Sequence, residues 1–186
     1  MDGMASSEAG TQPRAGQWRA QFERLARRYH AGVYNYLCWI ARDRTLAEDL
    51  TQETFVKVWQ HPPEARGERA MKAWIYRIAR NEYLQYRRRA GLTTVALEEC
   101  AENAVMDTAP APQVELERRD SSDRVHDAVE GLPDLYREVI VLHNLEGLSL
   151  RQVAAALEVP LGTVKSRRAR AFERLRGLLP GPEVAR

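Results

Sequence analysis

The sequence predicts an all-α protein: two small helical domains joined by a flexible acidic linker, the C-terminal one a helix-turn-helix. Three observations carry this expectation. Apolar residues recur at three- and four-residue steps through residues 17–90 and 119–179, with no strand-like alternation of useful length. Residues 91–118 between them have weak periodicity and an Ala-Pro-Ala-Pro stretch, too long for a connection inside one compact domain. Charge is also segregated. Ala70 to Ala90 holds six basic residues against one acid (+5), and Leu161 to Leu178 again six against one (+5). Gly91 to Asp123 holds eight acids against two arginines (−6), so a net charge of only +2 conceals two basic stretches and an acidic connector.

Taken in order, residues 1–16 are small, polar and expected to be disordered. A first helix is predicted over Gln17 to Arg42, with Phe22, Leu25, Tyr29, Val33, Tyr36, Leu37 and Ile40 on its apolar side. Thr45 and Glu48 match a capping box and open a second helix, which ends at His61-Pro62-Pro63 because proline breaks the hydrogen-bond ladder. A loop from Gln60 to Glu68 leads to a third helix, Arg69 to Arg89, with Trp74, Ile75, Ile78 and Leu84 inward and Gly91 suited to its C-terminus.

Beyond the linker, helices are predicted over Arg119 to Glu130 and Asp134 to Leu145, separated by Gly131-Leu132-Pro133. Leu135, Val139, Ile140 and Leu142 face inward in the second of these. Ser149 with Gln152 forms a capping box for a short helix to Leu157, and Glu158-Val159-Pro160 turns the chain into a last helix from Leu161 to Leu178. Residues 180–186 are a tail.

Composition excludes several function classes. Cys38 and Cys100 form no CxxC pair, and Cys38 reads as a packed core thiol in a reducing, cytoplasmic setting. His30, His61, His126 and His143 are scattered, with no HExxH spacing, Gly-rich phosphate loop or nucleophile elbow. No enzymatic activity, metal or cofactor is expected. No apolar run approaches a membrane span, and the N-terminus lacks the apolar core of a signal peptide.

The run Leu148 to Leu175 has helix-turn-helix grammar. Val153, Ala154 and Leu157 face inward on a short helix, with small Ala154 allowing a close crossing. Val164, Ala171, Leu175 and Leu178 pack the second helix, leaving Thr163, Lys165, Ser166, Arg167 and Arg170 outward. Such a face fits a major groove, with basic side chains toward guanine edges and hydroxyls toward phosphates.

These residues resemble a known family. Glu146-Gly147-Leu148-Ser149 with Pro160-Leu161-Gly162-Thr163-Val164-Lys165-Ser166-Arg167 is similar to the fourth region of extracytoplasmic-function (ECF) RNA polymerase sigma factors. Gly131-Leu132-Pro133 with Arg137-Glu138-Val139 resembles the start of that region. The run Leu46 to Phe55 with Trp59, and the run Ala73 to Asn81, resemble the second region. GTVKSR alone also occurs in response-regulator helix-turn-helices. Such a regulator is the alternative reading, but it requires an α/β receiver domain that residues 17–90 do not suggest.

The resemblance implies a promoter-reading subunit of bacterial RNA polymerase. It implies that residues 17–90 bind core polymerase and the −10 element, and that 119–179 bind the −35 element. Asp49, Gln52, Glu53 and Val56 would dock on the clamp helices of the largest subunit, and the flap is a further polymerase contact. Lys72, Arg77, Arg80, Arg87 and Arg88, joined by Arg89, would neutralise phosphates of melting DNA. Trp74, Tyr76, Tyr83 and Tyr86 would supply aromatic surface, though Trp74 reads as core, and Asn81 a polar contact. Lys165, Ser166, Arg167 and Arg170, with Thr163 beside them and Arg174 nearer the phosphates, would read the −35 element, while Arg151 and Gln152 touch backbone. The linker would thread through polymerase, and an anti-sigma factor is an expected partner. Two positions depart from the family: Gln85 stands where an aspartate is common, and Arg168 where an apolar residue is usual. Without polymerase the two domains are expected to be unconstrained and free DNA binding weak.

Overall fold

Seven α-helices and one π-helical turn make up the regular structure of the computed structural model, which describes residues 15–63, 67–92 and 121–179. The expected N-terminal disorder, most of the acidic linker and the C-terminal tail lie outside the described residues. α1 (Ala15–Ala41), α2 (Arg44–Gln60) and α3 (Glu68–Arg89) form an N-terminal unit. The 3.6-residue period of α1 buries Leu25, Tyr29, Val33, Tyr36, Leu37 and Ile40 on one stripe, against Leu50, Phe55 and Val58 of α2 and Met71, Ile75 and Ala79 of α3. Thr51 and Thr54 are buried on α2 because their hydroxyls donate back to the Ala47 and Leu50 carbonyls at 2.6 and 2.7 Å. Trp18 Nε1 donates to the Trp59 carbonyl at 3.0 Å and ties the start of α1 to the end of α2.

The cap of α2 differs from the sequence expectation. Asp43, not Thr45, caps α2: its carboxylate accepts from the Thr45 and Leu46 N–H groups at 2.9 and 3.1 Å. A carboxylate placed to take two otherwise unpaired donors displaces the Thr45–Glu48 box and starts the helix two residues earlier, at Arg44. At the end of α3, Gly91 adopts φ +65°, with Leu92 N–H donating to the Arg87 carbonyl and Gly91 N–H to that of Arg88. This double closure needs a left-handed residue, which glycine supplies without strain.

The C-terminal unit comprises α4 (Ser121–Glu130), α5 (Asp134–Ile140), α6 (Leu150–Leu157) and α7 (Leu161–Leu178). The sequence predicts one helix from Asp134 to Leu145. Instead α5 widens after Ile140 into a π-helical turn, Val141–Leu145, where the Glu146 N–H reaches back five residues to the Val141 carbonyl. Gly147 at φ +68° then reverses the chain. Ser149 and Gln152 form the expected capping box, each side chain bonding the other's backbone N–H.

In the helix-turn-helix, Val153 and Leu157 are buried as expected, but the fully buried small residue is Ala156, with Ala154 half-buried. Leu178, expected inward, is exposed at the end of α7.

The two units meet. One continuous apolar cluster runs from Trp18 of α1 to Leu175 of α7, with α3 packed on α6 and α1 packed on α5. The expectation that the two groups of helices are unconstrained is therefore not met in this structure. Arg137, which the sequence placed in no role of its own, sits at the seam with 1% exposure. It pairs with Asp134 at 2.8 Å and donates to the carbonyls of Glu130 and Leu132, so it fastens the α4–α5 corner. Arg42, at the end of α1, reaches across to the same Glu130 carbonyl at 2.7 Å. Burial, and then the Arg42 charge, lower the Arg137 pKa.

The cap assignment is testable by urea unfolding. Asp43→Ala is expected to cost about 1 kcal/mol, and Thr45→Ala well under half of that. The reverse ranking would restore the Thr45 box.

Candidate nucleic-acid interface

Three surfaces hold the residues singled out by the sequence. The first is α7, which follows the α6 turn with Glu158 in a left-handed conformation, φ +55°. Val164, Arg167, Ala171 and Leu175 recur at three- and four-residue steps and form its buried stripe. Arg167 was expected to face DNA but belongs to that stripe and is 8% exposed. Lys165, Ser166, Arg170 and Arg174 are exposed and Thr163 is half-buried. Arg174 lies over the Tyr136 ring at 5.2 Å. Arg168, in the usually apolar position, is half-buried with its guanidinium 5.0 Å from the Phe172 ring, which covers its stem. The outward basic face is thus Lys165, Arg170 and Arg174.

The second surface lies on α1 and α2. Asp49, Gln52, Glu53 and Val56 are all exposed. Gln52 and Val56 border an open apolar groove completed by Phe22, His30, Phe55 and Trp59. The Phe22 ring meets those of Phe55 and Trp59 edge-on, at 6.4 and 5.1 Å, and His30 stacks on Phe55 at 5.5 Å. Val56 and Trp59 are 53% and 44% exposed, an apolar pair left uncovered beside acidic side chains.

The third surface is α3, and here the structure differs most from expectation. Trp74 is a core residue at 9% exposure, in line with its place on the apolar side of the helix, but Tyr76, at 1%, is core as well rather than an aromatic platform; Tyr83 and Asn81 are half-buried and Tyr86 is exposed. Glu82, the lone acid of the basic stretch, is buried against Lys57 of α2 at 2.6 Å. The cations of α3 turn toward the C-terminal unit. Arg80 pairs with Glu138 of α5 at 3.2 Å, Arg87 with Asp134 at 3.6 Å and Arg77 with Glu158 at 3.4 Å. Lys72 donates to the Glu146 carbonyl, and the Tyr76 hydroxyl to its carboxylate at 2.7 Å. Arg88 and Arg89 remain exposed, and Gln85 accepts from Arg89 at 3.2 Å.

Burial sets the electrostatics of this seam. It raises the Glu146 pKa from the ordinary glutamate value, an effect the Tyr76 bond and Lys72 oppose. Burial likewise lowers Lys72, against the pull of Glu146, and pushes the Tyr76 hydroxyl well above its usual range, so the phenol stays a donor. Tyr36 is shifted the same way by burial and by the nearby Glu138 charge, and donates to Glu138 at 3.4 Å.

Sequence reasoning missed Asp134, Glu138, Glu146 and Glu158 as partners of α3. A signal was present in Glu138, a charged residue directly before the apolar run from Val139 to Leu142. Among the described residues there is no group of three or more His, Cys, Asp or Glu side chains able to hold a metal, and no helix long and apolar enough to cross a membrane.

Comparison with known proteins agrees with this division. Residues 25–93 match the family model of Sigma-70 region 2, and residues 122–175 that of Sigma-70, region 4. The ECF RNA polymerase sigma-E factor of Haemophilus influenzae is 34% identical over 160 residues, covering 82% of this chain and 84% of that protein. The ECF RNA polymerase sigma factor SigM of Bacillus subtilis is 30% identical over 154 residues, covering 81% and 90%. Among solved structures, the sigma factor RpoE of Bartonella quintana, in complex with the anti-sigma factor NepR, superposes with a TM-score of 0.64 at 26% identity, over 89% of this chain and 99% of that one. CnrH, in complex with the cytosolic domain of CnrY, has the same fold, with a TM-score of 0.60 at 24% identity. Both halves match in order, the helices carry the match, and no strand of a receiver domain occurs among the described residues; the chain belongs to the ECF family of RNA polymerase sigma factors, DNA-binding factors of transcription initiation.

Proposed function

We propose that residues 17–90 dock on core polymerase and bind the −10 element, that residues 119–179 read the −35 element, and that the chain serves a signal-specific set of promoters in the cytoplasm as a binding subunit with no chemistry of its own. The observation that carries this reading is the exposed basic face of α7, Lys165, Ser166, Arg170 and Arg174, presented by a capped helix-turn-helix. A recognition helix needs such a face to neutralise phosphates and reach base edges together. Arg167 contributes by packing rather than by contact with DNA. The −10 surface would comprise Lys72, Arg77, Arg80, Arg87 and Arg88 for phosphates, with Asn81, Tyr83 and Tyr86 for bases.

The uncovered groove beside Gln52 and Val56 supports α2 as the polymerase-docking element. An apolar trough on a helix that also exposes Asp49 and Glu53 fits a helical partner with an apolar ridge and basic flanks, as clamp helices would present. The relative solved with the anti-sigma factor NepR supports an anti-sigma factor as a further partner.

Run-off transcription with core polymerase on a genomic promoter pool tests the reading. Adding the protein is expected to create specific new transcripts. Lys165→Glu with Arg170→Glu should remove at least about nine-tenths of them, since each lost base or phosphate contact weakens binding by roughly tenfold. Absence of any new start site in the presence of bound core polymerase would overturn it.

The docking surface has a separate test. Val56→Asp with Gln52→Ala should weaken core binding by about tenfold or more, read by fluorescence anisotropy of the labelled protein, with an unchanged helical spectrum. Unaltered affinity would move the docking surface off α2.

A further inference from the structure

Two arginines of α7 are held differently from those of α3. Arg77, Arg80 and Arg87 pair with carboxylates. Arg168 and Arg174 lie over aromatic rings instead: Arg168 over Phe172 of the same helix at 5.0 Å, and Arg174 over Tyr136 of α5 at 5.2 Å. The difference matters chemically. A carboxylate uses up guanidinium N–H groups. A ring face attracts the positive charge and leaves the N–H groups around the guanidinium edge for an anion. The two positions flank the buried stripe of the helix. At 3.6 residues per turn they stand about 120° apart, with Val164, Ala171 and Leu175 between them. A recognition helix seated in a major groove has a sugar–phosphate backbone along each flank, so one ring-mounted arginine is available to each wall.

Arg168 is the informative member of the pair. Its Nε is buried and has no hydrogen-bond partner among the described residues. An unpaired buried donor is costly, and an aliphatic side chain at the same position would avoid that cost. The offsetting gain has to come from the terminal nitrogens, which the half-buried side chain carries past the Phe172 ring. The same pairing accounts for Phe172, a large aromatic residue 36% exposed on a helix whose outer face is otherwise polar. Side chains on a helix lean toward its N-terminus, so a ring at position 172 covers position 168, one turn earlier.

We propose that Arg168 is a phosphate-binding residue of the −35 interface and that Phe172 is its positioning residue, the ring holding the guanidinium toward one wall of the groove as Tyr136 holds Arg174 toward the other. This rests on the reading of α7 as the −35 helix made above. A phosphate contact releases counterions and carries no base information, so Arg168 adds affinity and salt dependence but no sequence preference. Mounting a long side chain on a ring before DNA arrives lowers the cost of ordering it on binding.

The test uses holoenzyme reconstituted from core polymerase and the full chain, with a fluorescein-labelled duplex carrying a promoter recovered by run-off transcription, titrated at several salt concentrations. Arg168→Leu is expected to lower the slope of log affinity against log salt by about 0.9, which is binding weaker by about five- to tenfold near physiological salt. The loss should be the same on a duplex with an altered −35 element, and the thermal midpoint of the free variant should not fall. Phe172→Ala should weaken binding about threefold in the parent and leave it unchanged once Arg168 is leucine. That coupling separates positioning from a general effect on the fold. Unchanged affinity and slope in Arg168→Leu, a changed −35 preference, or fully additive losses for Arg168 and Phe172 would overturn the proposal. Lys165→Glu with Arg170→Glu distinguishes the two levels. If that variant binds the promoter as tightly as the parent, the reading of α7 fails; if it loses binding while Arg168→Leu does not, the Arg168 contact alone is refuted.

Discussion

A carboxylate with 6% of its side chain exposed is costly unless its charge is matched where it sits. Glu138 of α5 is such a group, and its partners come from the other unit: Arg80 of α3, itself 13% exposed, and the Tyr36 hydroxyl of α1. Neither unit satisfies its half of this contact alone. Parting the units must return Glu138 and Arg80 to water or give Arg80 another anion. The apolar cluster around them supplies most of the attraction, and the ion pair fixes which faces meet, since a sliding of the helices would leave a buried charge unpaired.

The choice of faces has a consequence for α3. One helix provides core residues through Met71, Trp74, Ile75 and Tyr76, and cations through Lys72, Arg77, Arg80 and Arg87. In the closed arrangement those cations are satisfied by the protein's own oxygens. In an initiation complex they would be satisfied by phosphates. Arginine suits this double use: its planar fork meets carboxylate and phosphate with the same geometry and never loses its charge. A third partner that grips only one of the two states can decide the balance between them. The uncovered groove at Phe55, Val56 and Trp59 lies on α1 and α2, away from the seam, where such a partner can bind without competing for it.

Much of this was legible from the residues in order. Apolar periodicity located every helix, the Ser149–Gln152 box and Gly91 marked two ends correctly, and the basic face of α7 followed from spacing. The failures have physical causes. Asp43 outcompeted Thr45 as a cap because the two candidates stand two residues apart and only geometry shows which oxygen meets the free N–H groups. Arg167 looked like a DNA contact by residue type, yet its position three after Val164 and four before Ala171 put it on the packing stripe. The π-helical turn leaves no trace in periodicity over so few residues. Contacts between units, Glu138 with Arg80 above all, join positions 58 residues apart, and no local pattern encodes them.

The most direct test of this arrangement is a distance. Spin labels at Arg24→Cys on α1 and Arg176→Cys on α7, both exposed, in a Cys38→Ser/Cys100→Ser background, report the separation of the units by pulsed dipolar spectroscopy. A narrow distribution at the spacing of the closed structure is expected for the free protein, with a shift to a longer distance when core polymerase and promoter DNA are added. A broad distribution in the free protein, or the same short distance in the initiation complex, would contradict it.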